Sequence, residues 1–215
     1  MVALSAAERG AIASLYDGRL GCQLDDHAVV GWGSRADQWL RFEQLFRGLE
    51  IAGRRILDVG CGLGALVEFL DERAGGEFDY LGVDLAPGLV RRAQERVADR
   101  QGMRQPRFAV VDILDPEAEL GQHDLVVLSG ALSYRVEDNE GLAAAMIERM
   151  AGLATEAVAL NFLSSYVDYQ LDKNFHYSPE KMFRLARTLC PRVALYHDYP
   201  LYEFTLQLRL ADSKG

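Results

Sequence analysis

Apolar and polar positions along the chain alternate between two rhythms. Short runs that are apolar almost throughout have the length of strands: Ile56–Val59, Tyr80–Val83, residues 107–112, Asp124–Ser129 and Ala157–Leu163. Near-continuous apolar character with β-branched content predicts strands buried on both faces. Between these runs apolar residues recur every three or four positions. Ala65, Leu66, Val67, Phe69 and Leu70 form one such stripe, Leu89, Val90, Ala93 and Val97 a second, and Leu142, Met146 and Met150 a third. These are the inward faces of amphipathic helices. Strand and helix in alternation predict an α/β fold around a parallel sheet. The end of the chain breaks the rhythm. Val193–Tyr196 reads as a strand, and His197–Tyr202 as a turn. Beyond it Phe204, Leu206, Leu208 and Leu210 alternate with Thr205, Gln207 and Arg209. A link this short forces the last two strands to be antiparallel.

Residues 5–49 precede the first strand and read as a helical cap. Ser5 with Glu8 makes a capping box at a first helix, which ends near Leu15 and Tyr16. Gly31-Trp32-Gly33-Ser34 is a loop, and Ser34 caps a second helix with the stripe Trp39, Leu40, Phe42, Leu45, Phe46 and Leu49. Trp39 and Phe42 read as core. Tyr16, Trp32, Gln38 and Arg41 are placed to close over a ligand. A length of 215 residues suits one domain. It divides into a cap (1–50), a core (51–163), an insert (164–178) and a final helix with hairpin (179–215).

The chemistry concentrates where the first strand ends. Gly60-Cys61-Gly62-Leu63-Gly64 turns the chain sharply and exposes backbone to close approach. A helix begins directly after it, so the segment suits a nucleotide-like ligand. Gly60, Gly62 and Ala65 also satisfy the dinucleotide fingerprint. The neighbouring acids argue otherwise. Asp58 lies two residues before the first glycine, where it would repel a pyrophosphate and attract an ammonium group. Asp84 ends the second strand at the spacing of a ribose-binding carboxylate. Asp112 ends the third. Three strands ending in acid suit a ligand with an ammonium group, a ribose and an adenine amine.

These residues, Asp58-Val59-Gly60-Cys61-Gly62-Leu63-Gly64, Asp84-Leu85, Asp112-Ile113 and Asp124 to Leu132, resemble the class I S-adenosylmethionine-dependent methyltransferases. The resemblance implies a three-layer Rossmann-like fold. Its seven-stranded sheet is mostly parallel, with a reversed final strand inserted between strands five and six and a short N-terminal helical cap. It also implies S-adenosylmethionine as cofactor and S-adenosylhomocysteine as product. The cofactor residues would be Asp58, Gly60, Cys61, Gly62, Gly64, Asp84, Leu85, Asp112, Ile113 and Ser129, with Tyr16 and Arg41 closing from the cap. Arg41 suits the methionyl carboxylate, since guanidinium matches a carboxylate bidentately. Cys61 reads as a small residue that fits the turn, with no base beside it to make it a nucleophile.

The acceptor site is expected in the insert, which is dense in Tyr, Asp and His and follows strand five at the carboxyl edge of the sheet. Trp32, Tyr166, Asp168 and Tyr177 are the substrate candidates, and Tyr134, His176 and His197 the candidates for moving a proton. No metal-ligand spacing is visible. The net charge of −9, without a basic run, disfavours a nucleic-acid partner. Three widely spaced cysteines and the absence of a leader or apolar span lead us to expect a cytoplasmic protein with reduced thiols and no membrane contact. The expected activity is methyl transfer to a small polar molecule, by a monomer or a homodimer. Three alternatives stand beside it: methylation of a macromolecule such as tRNA or protein, a non-catalytic cofactor-binding subunit, and a nicotinamide oxidoreductase. Asp58 and the reversed hairpin disfavour the last.

Overall fold

Three helices precede the sheet: α1 (Ala6–Leu20), α2 (Asp26–Val29) and α3 (Arg35–Leu45). Next come β1 (Arg55–Val59), α4 (Ala65–Ala74), β2 (Asp79–Asp84), α5 (Pro87–Val97), β3 (Arg107–Val110) and β4 (His123–Leu128). The chain then forms α6 (Asn139–Leu153), β5 (Ala154–Leu163), α7 (Pro179–Leu189), β6 (Val193–Tyr196) and β7 (Glu203–Arg209). The structure is a computed structural model that describes residues 4–22, 25–31, 33–100 and 104–210.

The seven strands form one sheet in the order β3-β2-β1-β4-β5-β7-β6. β7 is antiparallel to both of its neighbours, and the first five strands run parallel. The expected mixed sheet and inserted final strand are therefore observed. Alternate residues of each central strand feed opposite layers. Leu57, Val59, Val126 and Leu128 meet α6 and α7 on one face. Ile56, Leu125 and Val127 meet α3, α4 and α5 on the other, where Phe42 and Phe46 pack around Phe69.

Two strand boundaries differ from the sequence expectation by two residues or more, and α1 runs on to Leu20, past the end expected near Leu15 and Tyr16. β3 stops at Val110, two residues short. The Asp112 carboxylate accepts from the N–H of Leu114 at 2.9 Å, and this local turn wins over the strand. β5 begins at Ala154, three residues early, because Ala154 pairs with His123 at the start of β4. The helix α2 was not expected at all. It is 4 residues long, below the length at which a periodic pattern shows.

Within the cap, α1 is attached by polar ties more than by burial. The Ser5–Glu8 capping box forms as expected. No residue of α1 is buried. Arg9 pairs with Asp112 at 3.1 Å, Glu8 accepts from the N–H of Glu137 at 3.0 Å, and Asp17 accepts from the N–H of Gly88 at 3.0 Å. α3 is held more deeply, because Gln207 on β7 donates to the carbonyls of Leu45 (2.8 Å) and Arg47 (3.1 Å) at its end.

Candidate active site

A cleft of about 610 Å³ opens over the carboxyl ends of β1, β2 and β4 and runs beneath the cap. Asp58, Gly60, Cys61, Gly62, Asp84, Leu85, Asp112, Ile113, Ser129 and Tyr134 all line it, as does Tyr16 from α1. Gly64 lies behind this wall, and a Cβ there would meet the Phe108 ring at 2.9 Å.

The glycine turn owes its shape to residues without side chains. Gly60, Gly62 and Gly64 have φ of 72°, 54° and 71°. Such angles cost an L-residue roughly 1–2 kcal/mol. Four of its five N–H groups are already spent. Those of Gly60 and Cys61 donate to the carbonyl of Val83, that of Gly64 to Cys61, and that of Gly62 to Asp84 at 2.9 Å. The turn therefore offers no ring of free donors for a pyrophosphate, which weighs against the dinucleotide alternative.

The acids are prepared unequally. Asp58 is 3% exposed, and burial pushes its carboxyl up to about 7 although the Tyr80 hydroxyl donates to it at 2.6 Å. Asp84 is fixed by the N–H groups of Gly62 and Ala86, and burial raises its carboxyl despite them. Asp112 accepts from Arg9 and Leu114, and each oxygen keeps a second lone pair toward the cleft. Burial also raises the Cys61 thiol well above its usual range, which suits an inert filler. The Ser129 hydroxyl is buried and has no partner. These side chains fit a ligand that combines an ammonium group, a ribose and an adenine.

Several expected site residues lie elsewhere. Arg41 does not reach the cleft. Its guanidinium forms a bidentate pair with Glu203, with contacts of 2.6–2.8 Å, where the two side chains are 8% and 4% exposed. The insert is a buttress for the wall of the cleft and does not line it. It folds back through the bridges Tyr134↔Asn174 and Ser164↔Tyr177. Tyr177 is 1% exposed and donates to the carbonyl of Leu132, so it is core. His176 places Nδ1 2.8 Å from the carbonyl oxygen of Ser164. Tyr166 is exposed and bonded to Glu180, Asp168 is exposed, and His197 is an exposed ring beside Tyr166. Its Tyr, Asp and His content and its place at the carboxyl edge marked this loop as a pocket, and sequence alone does not reveal which way a loop folds. Trp32 lies outside the described residues.

The cap supplies residues that the sequence did not single out as site groups. Asp25, His27 and Val30 around α2 line the cleft, as do Trp39 and Phe42 on α3, beside the expected Gln38. The apolar stripe of α3 was read as core, and Phe42 is core at 3% exposure, yet one edge of the stripe also faces the cleft. Among the described residues no His, Cys, Asp and Glu group could hold a metal ion, and no helix is long and apolar enough to cross a membrane.

Comparison with known proteins agrees with this geometry. Residues 56–153 match the family described as methyltransferase domain. Rv1506c of Mycobacterium tuberculosis, a protein named as a methyltransferase, is 36% identical over 163 residues, which cover 73% of this chain and 93% of that protein. Among solved structures, magnesium protoporphyrin IX methyltransferase from Synechocystis, with S-adenosylhomocysteine bound, superposes with a TM-score of 0.71 at 18% identity. That superposition covers 94% of this chain and 98% of that one. The N-methyltransferase NodS from Bradyrhizobium japonicum gives a TM-score of 0.61 at 14% identity, over 92% and 97% of the two chains. The sheet order, the reversed β7 and the acid-lined glycine turn together define a methyltransferase of the Rossmann-like type. The chain belongs to the class I S-adenosylmethionine-dependent methyltransferases.

Proposed function

We propose that this enzyme methylates a small molecule held beneath the cap, at an oxygen, nitrogen or acidic carbon. The observation that carries the reading is the single cleft joining the three acids to Tyr16, His27 and Trp39 of the cap. Its volume lies within the roughly 300–1,000 Å³ of small-molecule sites. α1 lies across this cleft and is tied down at both ends, an arrangement that favours a compact acceptor over a folded macromolecule.

In this reading Asp58 faces the ammonium group of the cofactor, Asp84 the ribose hydroxyls, and Asp112 with Ile113 the adenine edge. Leu85 packs on the adenine ring. The bound cofactor supplies an electrophilic methyl group on a cationic sulfur. The protein holds the acceptor in line with that group and keeps water out, which is where most of the rate gain of such a displacement lies. His27, which lines the cleft, is our candidate to receive a proton from an acceptor that must lose one, and Tyr134, whose phenol would have to pass on its own proton, is a candidate to relay it.

Calorimetric titration tests the reading. S-adenosylhomocysteine is expected to bind and a nicotinamide dinucleotide is not. Asp84→Ala should weaken binding by ~1–3 kcal/mol, because two hydroxyls lose a charged acceptor. A folded Asp84→Ala variant that binds as tightly as the native protein would refute the ribose role.

Asp58 makes the affinity depend on pH. Burial pushes its carboxyl up to about 7, and the ammonium group of the ligand prefers the ionised form. Binding at lower pH must therefore expel a proton, so affinity falls as pH drops below about 7, by up to tenfold per unit. Titration with S-adenosylhomocysteine between about pH 5 and about pH 8 should show this slope, and Asp58→Asn should flatten it. 5′-Methylthioadenosine, which lacks the amino-acid tail, should bind without the slope. A flat profile for the native protein would remove Asp58 from the ammonium site.

A further inference from the structure

Gln38 sits on α3 one turn before Arg41 and is 7% exposed. Its backbone N–H continues the helix to the carbonyl of Ser34, but its side-chain amide has no hydrogen-bond partner. It lines the cleft. The residue is buried, but its amide atoms are not closed off, so they reach the open space of the cleft, where a ligand can bond them. Ser129, at the end of β4, adds a hydroxyl that is itself buried and unpartnered in the same cleft, a state that costs free energy until a partner arrives. The two are tied into one frame. Arg41 pairs with Glu203, the Asn161 amide reaches Glu203 at 3.5 Å, and Asn161 accepts from the N–H of Gly130 at 2.8 Å. This chain of bonds fixes the Gln38 face of α3 against the turn that carries Ser129.

The amino-acid end of the cofactor brings a carboxylate as well as an ammonium group, and a carboxylate needs donors. The acids of the cleft are acceptors. The N–H groups of Gly60, Cys61, Gly62 and Gly64 are committed within the turn, and that of Gly130 to Asn161. The arginines of the lining are paired with acids: Arg35 with Glu68, and Arg96 with Glu68 and Asp26. Arg41 is taken by Glu203. We propose that the Gln38 amide N–H, assisted by the Ser129 hydroxyl, receives the cofactor carboxylate, while Asp58 takes the ammonium group. The assignment rests on the cofactor reading above. It gives this end of the ligand neutral donors in place of a guanidinium, so the site reads the shape of the carboxylate without neutralising its charge.

The test is a comparison of two ligands by calorimetry: S-adenosylhomocysteine and its decarboxylated counterpart, which keeps the amine. The native protein is expected to prefer the carboxylate form about tenfold or more. Gln38→Leu should erase most of that preference by weakening S-adenosylhomocysteine alone. Gln38→Glu keeps the size of the side chain but presents oxygens and a negative charge, so it should invert the preference. Ser129→Ala should reduce it in part. Melting curves of the unliganded variants establish which are folded, and Ser129→Ala carries the test if both Gln38 variants fail. Equal weakening of both ligands in the folded variants, or no change in either, would overturn the assignment and leave the carboxylate to another group such as His27. A native protein that binds neither ligand would overturn the cofactor reading itself, a different result from the failure of Gln38.

Discussion

Gly60→Val is expected to weaken S-adenosylhomocysteine binding about a hundredfold, with the protein still folded. Two costs add. The residue sits at φ 72°, where a side chain costs roughly 1–2 kcal/mol. A Cβ there would also stand 2.5 Å from the Cβ of Ala131, closer than carbon atoms approach, so the 130–134 loop must retreat. Overpacking of this kind costs roughly 1–3 kcal/mol. The loop that yields is the one carrying Tyr134 into the cleft, so much of the cost falls on the ligand site. Gly53→Val is the matched control. Gly53 has φ 75°, and a Cβ there meets nothing within 4 Å, so the variant carries the backbone strain without the obstruction. Titration of both should show the binding loss only at position 60. Equal losses at both positions would mean that strain, and not the approach of the 130–134 loop, sets the effect.

The largest effect on stability is expected from Arg41→Met. The Arg41–Glu203 pair is nearly inaccessible, and removal of one partner leaves a buried carboxylate without its counter-ion. Breaking such a pair typically costs ~3–5 kcal/mol, whereas replacing both partners with apolar side chains is often neutral. For a chain of this length the loss corresponds to a fall in Tm of roughly 6–20 °C. The double variant Arg41→Met/Glu203→Leu should recover most of it. Circular-dichroism melting distinguishes the cases. A single variant that melts with the native protein would show that water reaches Glu203 and screens its charge.

The sheet and the cofactor edge were legible because both repeat locally. Leu125–Leu128 is apolar without interruption and Ile56–Val59 is broken only by Asp58, as strands covered on both faces require, and Asp58, Asp84 and Asp112 mark the carboxyl edge of the sheet by charge alone. Phe204, Leu206 and Leu208 declared β7 by alternation. The acceptor side was misread for a physical reason. Tyr177 and His176 carry the side chains of a pocket, but Tyr177 is held under Leu132 by bonds between segments more than 40 residues apart, and nothing in the local pattern encodes them. Arg41 was read as a ligand for an anion. It does bind a carboxylate bidentately, as its chemistry suggests, but the carboxylate is Glu203. Gln38 was grouped with Arg41 as a residue that could close over the ligand, and it is Gln38 that lines the cleft.

The anchoring of α3 to β7 also sets an order of events for the newborn chain. Arg41–Glu203 and the Gln207 contacts to the end of α3 each join residues about 160 positions apart. β6 pairs only with β7 among the described strands, and β7 enters between it and β5. As the chain emerges from a ribosome, β1 to β5 find their neighbours in sequence order, while α3 waits for a strand made about 160 residues later. Contacts of such separation are slow to form, because the whole intervening loop must close first. The roof over the cleft is therefore synthesised before the sheet beneath it and is fixed in place only after β7 has been made. A ribosome stalled before residue 203 would display the acids and the glycine turn with α3 not yet fastened over them.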